Sequence, residues 1–401
     1  MANLARIGLA LVCGLLLCGR AGAESELARG KRLATEGDCV VCHTAPGHPA
    51  RPFAGGYALH AYFGTVYSSN ITPDKDTGIG NWTKDQFWHA LHDGIDAEGA
   101  HLYPAFPYLY FAHLKREDVD AIYAYLKTVK PIRNTPPRNR LIFPANIRFA
   151  MTFWDWLFLD QSPLTPDPAR SAQWNRGYEI VNGAGHCGAC HTPKTFLFND
   201  VKSKALSGET MDGWYAPNLT ATRPLGLGNW SVADIELYLA TGQNRFGRVV
   251  GAMKDVVESS TSKLSDQDRA AIAVYLKSLP AAPAPTPVAP TQAQMDAGSA
   301  VFVQSCSVCH GHPDQGYPAL AQNATVGARD PSTVLRVILQ GSQSMKPRTG
   351  AIGFSMPAFA TLSDGELADV ATYIRNAFGN RAGAVSEKQA RDLRKLLGPG
   401  N

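Results

Sequence analysis

Three short segments of this sequence combine two thiols with an imidazole at one fixed spacing. They are Cys39-Val40-Val41-Cys42-His43, Cys187-Gly188-Ala189-Cys190-His191 and Cys306-Ser307-Val308-Cys309-His310. Cys-x-x-Cys-His is the attachment signature of c-type haem. The two thiols add to the porphyrin vinyl groups as thioethers, and the histidine lies beneath the iron as proximal ligand. The chain has eight cysteines. Cys13 and Cys18 fall in an N-terminal segment expected to be removed, and the three motifs use the other six. Disulfides are the ordinary reading of an even count in an exported chain, but a histidine directly after every pair points to haem instead. Zinc is disfavoured, because a tetrahedral site wants two such pairs close together. The expected cofactors are three covalently bound haem c groups. Cys39, Cys42, Cys187, Cys190, Cys306 and Cys309 would attach them, with His43, His191 and His310 on the irons.

An electron-transfer haem held by one histidine needs a sixth ligand, and methionine sulfur there raises the potential. Met356, in Gly353-Phe354-Ser355-Met356-Pro357, is the candidate near the third motif, ahead of Met345. Met253, in Val249-Val250-Gly251-Ala252-Met253, is the candidate near the second, and Met211 is expected only to pack. Near the first motif the corresponding segment reads Leu102-Tyr103-Pro104-Ala105-Phe106-Pro107-Tyr108, with phenylalanine where methionine is expected. Met151 is the leading candidate there, His101 the next, and an open position the third. His89 and His92, three apart in a helical pattern, are further ligand candidates, though a solvent-facing or core place is the commoner outcome, and His48 and His312 are expected to be loop residues.

Repeats show what must position these groups. Gly30, Gly177 and Gly298 precede their first cysteines by eight to ten residues, in helix-like stretches. Gly80-Asn81-Trp82-Thr83 lies 148 residues before Gly228-Asn229-Trp230-Ser231, the same offset as Cys39 to Cys187. Asn70-Ile71-Thr72 matches Asn218-Leu219-Thr220 in the same way. Each unit closes on a helical pattern, Leu114 to Lys127, Leu264 to Lys277 and Leu362 to Arg375, with Tyr125, Tyr275 or Tyr373 near its end. Ser363 with Glu366 reads as a capping box, and Ser265 with Asp268 as a near relative. The expected fold is all-α: three tandem cytochrome c domains, each delivering its motif from an N-terminal helix that a C-terminal helix crosses.

The expected boundaries are a signal peptide at 1–23, domains at 24–130, 172–280 and 293–380, a connection at 131–171, a proline-rich linker at 281–292 and a C-terminal tail at 381–401. The signal segment has Arg6, an apolar run from Ile7 to Cys18 and a small-residue site at Ala21-Gly22-Ala23. Lipidation at Cys18 is disfavoured by the bulky Leu17 before it. The chain is therefore expected in the periplasm, with no transmembrane helix after cleavage. The connection contains an aromatic stretch, Phe149 to Phe158. It is expected to pack between domains; the alternative is a surface for a partner or the membrane interface, where tryptophan is favoured. Arg148 and Asp155 argue against insertion. The tail pattern Val385, Leu393, Leu396 and Leu397 suits a short amphipathic helix that docks on a membrane surface, stays solvated or folds onto the third domain.

Hydrophobic residues make up 45% of the 401 and charged residues 18%, so globular units with real cores are expected. Cleavage would lower the formal charge from +4 to +2, and haem propionates would lower it further, so nucleic-acid binding is not expected. No acid/base or nucleophile constellation stands apart from the three motifs. The leading expectation is an electron-transfer protein that is not an enzyme on its own. The alternatives are a free-standing periplasmic carrier and a peroxidase-like enzyme using an open first haem.

Gly64-Thr65-Val66-Tyr67-Ser68-Ser69-Asn70-Ile71-Thr72-Pro73-Asp74-Lys75, then Thr77-Gly78-Ile79-Gly80, then Leu102 to Tyr108, resembles the triheme cytochrome c subunit of membrane-bound bacterial dehydrogenases. These include alcohol, gluconate, sorbitol, fructose and aldehyde dehydrogenases. The resemblance covers essentially the whole mature chain. It implies a separate catalytic subunit of flavin, quinoprotein or molybdenum type as electron donor. It implies ubiquinone in the cytoplasmic membrane, another cytochrome or a terminal oxidase as acceptor, and peripheral association with that membrane.

Overall fold

The computed structural model describes residues 24–61, 63–283, 286–312, 317–342 and 355–398. The expected signal segment, Met345 and Gly353-Phe354 lie outside them. The described chain is largely helical and is built from three units in a row. The first holds α1 (Glu26–Glu36), α2 (Cys39–Cys42), α3 (Lys84–His92), α4 (Tyr108–Phe111) and α5 (Arg116–Leu126). After it comes α6 (Ala150–Phe158). The second holds α7 (Ala172–Asn182), α8 (Gly188–His191), α9 (Val232–Thr241), α10 (Ala252–Ser259) and α11 (Asp266–Ser278). The third holds α12 (Gln292–Ser305), α13 (Ser307–His310), α14 (Ser332–Gln340), α15 (Asp364–Asn376) and α16 (Glu387–Leu397).

Each unit is organised by one helix crossing: α1 on α5, α7 on α11, α12 on α15. The repeated glycines explain how close the crossing is. A Cβ on Gly30 would lie 1.8 Å from the Ala121 carbonyl oxygen, one on Gly177 2.0 Å from that of Ala271, and one on Gly298 2.1 Å from that of Asp369. One turn on, Tyr125, Tyr275 and Tyr373 place their Cβ atoms against the same three glycines. Any side chain at these positions would drive the helices apart, and the helix that carries the glycine also delivers the thiols.

The other repeats are local hydrogen-bond devices. Asn70 Oδ1 accepts from the Thr72 amide at 3.0 Å, and Asn218 Oδ1 from the Thr220 amide at 2.7 Å. These are Asx turns that pin the loop after the motif. Thr83 with Gln86 and Ser231 with Asp234 form full capping boxes at the starts of α3 and α9. Ser363 with Glu366 does so for α15, and Ser265 accepts from the Asp268 amide at 3.0 Å to start α11.

Each unit buries its own core, on Leu33, Phe87 and Ile122 in the first, Ile180, Trp230 and Ile272 in the second, and Phe302, Leu335 and Leu367 in the third. A smaller cluster of Phe63, Val66, Tyr103 and Met151 joins α6 to the first unit.

The structure departs from an all-α fold in its loops. β1 (Ala58–Ala61), β2 (Gly64–Tyr67) and β3 (Arg140–Leu141) form an antiparallel sheet in that order. β4 (Glu209–Met211) pairs with β5 (Trp214–Ala216), and β6 (Gln243–Asn244) with β7 (Gly247–Arg248). Strands of two to four residues are too short for alternating hydrophobicity to reveal them. The connecting segments also pack more closely than spacers. Ile132 donates to Thr72 Oγ1 at 3.1 Å and β3 pairs with β2, so the start of the connection belongs to the first unit. Ala282 donates to Thr222 Oγ1 at 2.8 Å, and Val288 accepts from the Ala384 amide at 2.8 Å, which ties the linker down at both ends. The tail folds onto the third unit: Val385, Ala390, Leu393 and Leu397 are buried in its core. The apolar face that suited a membrane surface is used there, and of the four tail positions Val385, Leu393, Leu396 and Leu397 only Leu396 is exposed.

Candidate functional site

Each motif occupies one helical turn. The amides of His43, His191 and His310 donate to the carbonyls of Cys39, Cys187 and Cys306, each at 3.0 Å. This i to i+4 closure places the first thiol, the second thiol and the imidazole on one side of the turn. None of the six motif cysteines is paired in a disulfide, so the disulfide reading is set aside. Burial pushes the thiols of Cys39 and Cys187 up to about 12, and burial likewise raises those of Cys42, Cys190 and Cys306. A redox dithiol needs the opposite shift. Among the described residues no cluster of three His, Cys, Asp or Glu groups is arranged to hold a metal ion by itself.

The histidines share one anchor. Nδ1 of His43 meets the carbonyl of Ser69 at 2.7 Å, Nδ1 of His191 that of Pro217 at 2.7 Å, and Nδ1 of His310 that of Pro318 at 3.3 Å. A carbonyl only accepts, so Nδ1 carries the proton and Nε2 keeps its lone pair. Burial also lowers the pKa of all three rings and keeps them neutral. This is the tautomer of a metal-ligating histidine with an outer partner that fixes the ring. Two thiols and an Nε2 lone pair on one turn fit the donor set of covalent haem c.

Met253 and Met356 pack against the cores that take their motifs, whereas Met151 sits in a cluster separate from the core that takes Cys39. Met253 is in the first turn of α10, against the same core as Cys187. Met356 is held by a bridge to Ser342, with N–O distances of 2.8 and 3.0 Å, against the core that also takes Cys306. Met211 stays in β4 opposite Trp214. In the first unit Phe106 packs into the core beside Cys39 and Val40. Met151 is buried on α6 against the cluster that holds Tyr103 and Ala105, immediately before Phe106. His101 has both ring nitrogens engaged: Nδ1 with Asp155 at 2.7 Å and Nε2 with Thr152 at 3.0 Å. With Nδ1 donating to the Asp155 carboxylate, Nε2 keeps its lone pair and accepts from the Thr152 hydroxyl. His89 and His92 both pair with Asp93. His48 lines a surface cavity of about 190 Å³ with Arg51 and Asn134, and His312 is exposed.

The first and second units meet beside the first motif. α10 packs on α2. The segments leading into the first and second motifs touch, His186 Nε2 meeting the Gly37 carbonyl at 3.2 Å. Buried Glu36, at the end of α1, accepts from Arg32 at 2.7 Å and from Arg176 of the second unit, which also donates to Asp268 at 2.8 Å. Burial outweighs these cations and raises the Glu36 pKa. Between the second and third units Trp214 is the hinge of contact. Its ring covers Gly251, two residues before Met253, and Arg336 of α14 stacks on it at 4.4 Å. Beside it the Tyr215 amide donates to Thr333 Oγ1 at 2.9 Å.

Sequence reasoning missed the three carbonyl anchors, which lie 26, 26 and 8 residues from their histidines and have no periodic signature. It also missed a shared cation, for which a signal exists: Lys127, Lys277 and Arg375 each follow the repeated tyrosine by two positions. Lys127 donates to the Gly80 carbonyl at 2.6 Å, Lys277 to that of Leu227 at 3.0 Å, and Arg375 to those of Val326 and Ala328 at 3.1 and 2.9 Å. Each closes the loop that leads into its unit's middle helix.

Comparison with known proteins agrees with this geometry. The family model for cytochrome c matches residues 27–130, and that for subunit III of cbb3-type cytochrome c oxidase matches 293–374. The fructose dehydrogenase cytochrome subunit of Gluconobacter japonicus is 36% identical over 94% of this chain and 86% of its own length. The gluconate 2-dehydrogenase cytochrome c subunit of Pantoea cypripedii is 37% identical over 96% and 94%. A nicotinate dehydrogenase subunit of Pseudomonas putida is 42% identical over 89% of this chain, which spans only 30% of that larger protein. Cytochrome c domains imply covalently bound haem c. With relatives matched over nearly their whole length, the chain belongs to the family of cytochrome c subunits of dehydrogenases.

Proposed function

We propose that this chain is a periplasmic three-haem electron carrier. It would take electrons from a dehydrogenase catalytic subunit and deliver them to ubiquinone in the cytoplasmic membrane or to another cytochrome. One observation carries the reading: the same turn of two thiols and an Nδ1-anchored neutral histidine occurs three times. A bound haem c supplies a one-electron iron couple. Cys39 and Cys42, Cys187 and Cys190, and Cys306 and Cys309 would hold the three groups. His43 with Met151, His191 with Met253, and His310 with Met356 would ligate the irons. The protein's own part is to keep each imidazole neutral and oriented, to exclude water with its three cores, and to hold neighbouring sites together. The contact of α10 on α2 and the Trp214–Arg336 stack supply the last of these. With every iron ligated on both sides in this way none would be open to a substrate, which is what a carrier requires and a peroxidase-like enzyme does not.

Purification from membranes under native conditions tests the proposal. A flavin, quinoprotein or molybdenum dehydrogenase subunit should accompany the chain, and that subunit's substrate should reduce the haems anaerobically, with ubiquinone reoxidising them. Recovery of the protein alone from the soluble fraction, unreduced by any such subunit, would refute it.

A further inference from the structure

One face of the protein is inverted. α6 turns Met151 and Asp155 inward, and Asp155 accepts from Tyr108 Oη at 2.6 Å and from His101 Nδ1 at 2.7 Å. Its outer side shows Phe149, Phe153, Trp156 and Leu157 at 70, 60, 82 and 59% exposure. A helix of a water-soluble surface does the reverse. The patch continues on both sides. Phe143, before α6, is 77% exposed, and Phe196, on a loop of the second unit, is 83% exposed. That loop is fastened to α6 by Trp154 Nε1, which donates to the Leu197 carbonyl at 2.7 Å. Other exposed apolar side chains, such as Leu27, Leu237 and Val303, lie far apart in the chain and are ordinary surface features. Contiguous apolar patches of this kind mark a covered surface.

The charge around the ridge identifies what covers it. Between residues 138 and 160 the exposed charged side chains are Arg138, Arg140, Arg148 and Asp160, the last paired with Lys202 at 3.7 Å, and Asp155 is buried. Arg148 pairs with Asp96 at 3.2 Å and stacks on Tyr103 at the rim. Protruding phenylalanine and tryptophan beside exposed arginines is the composition of an interfacial membrane helix. Arginines near the surface add attraction to anionic lipid. Among the described residues no helix is long and apolar enough to cross a membrane, so contact of this kind is made from the surface. Asp155, which with Arg148 argued from sequence against insertion, is turned inward to Tyr108 and His101.

We propose that this ridge seats the protein on an anionic bilayer, with Phe149, Phe153 and Trp156 entering the boundary between headgroups and acyl chains. The inference deepens the proposed role at the membrane and rests on that reading. It is tested by flotation of the mature holoprotein with phosphatidylcholine vesicles, with and without phosphatidylglycerol, against a Phe149→Ser, Phe153→Ser, Trp156→Ser triple variant. The wild type should float, more with phosphatidylglycerol. The variant should lose at least about a hundredfold in vesicle affinity, about 2.7 kcal/mol, while its haem spectrum stays unchanged. Equal flotation of variant and wild type, or no flotation of the wild type, would overturn the proposal. So would a variant that keeps vesicle binding but no longer accepts electrons from the dehydrogenase subunit, since the ridge would then be a subunit interface. Vesicle binding through the ridge by a protein that no dehydrogenase reduces would sink the functional reading and leave this inference standing.

Discussion

Gly177→Ala tests the link between the helix crossing and the haem turn. The added Cβ would stand 2.0 Å from the Ala271 carbonyl oxygen and 2.6 Å from its carbon. Ordinary contact begins near 3.4 Å, so α7 and α11 must part by about 1.4 Å where they cross. Backbone faces the new methyl, and no flexible side chain can swing aside. Overpacking of this kind costs about 1–3 kcal/mol, against about 5–15 kcal/mol for a typical domain. Alanine favours a helix over glycine by up to about 1 kcal/mol, which offsets only part of the loss. Hydrogen exchange of the holoprotein, resolved by peptide, reads the effect locally. Amides of residues 172–182 and 266–278 should exchange faster by roughly fivefold to a hundredfold, and those of 26–36 should not change. Gly365→Ala is the matched control. Gly365 lies in α15 with nothing within 4 Å of its Cβ position, so alanine there should slow exchange slightly. Unchanged exchange in α7 and α11 of Gly177→Ala, or equal loosening by Gly365→Ala, would refute the reasoning.

Two further outcomes follow from particular residues. Met151→Ala should turn one haem high-spin and open it to carbon monoxide, because Phe106 cannot ligate and His101 Nε2 is engaged by the Thr152 hydroxyl; an unchanged low-spin spectrum would remove Met151 from the first iron. Asp38 is buried, has φ 51, and its Oδ1 has no hydrogen-bond partner among the described residues. Burial raises its pKa well above the usual carboxylate range, with Asp255 adding to it. The stability that neutral Asp38 allows is complete below its unfolded pKa and is lost as pH rises through the raised folded value. Asp38→Asn keeps a side chain that tolerates a left-handed backbone. It should stabilise the holoprotein at pH 7 by on the order of 1–3 kcal/mol and lose that gain at low pH. Denaturant unfolding at pH 4 and 7 measures it, and a gain equal at both would contradict the assignment.

Much of this architecture was legible because repeats report physical roles. Gly30, Gly177 and Gly298 stand out by spacing alone, and the structure makes each the point where two backbones touch. The Asn-x-Thr and Gly-Asn-Trp-Ser/Thr repeats likewise become Asx turns and capping boxes, devices contained within a few residues. What escaped depends on pairs distant in sequence. The carbonyls of Ser69, Pro217 and Pro318 act through backbone atoms, so no residue type marks them. The destination of the tail was open because Leu393 and Leu397 suit a lipid surface and the α14–α15 core equally well in periodicity. The aromatic stretch was expected to pack between domains. Of its inner residues Trp154 reaches Leu197 of the second unit while Asp155 stays with Tyr108 and His101 of the first, and the outward turn of Phe149, Phe153 and Trp156 depends on which face Tyr108 and His101 hold.

The number of haems per chain is the most direct test of the three-site reading. Pyridine haemochrome absorbance of the pure protein, set against its intact mass, should give three covalently bound haems, and Cys187→Ser with Cys190→Ser should give two. A wild-type count of two, or a count that the double substitution leaves unchanged, would contradict it.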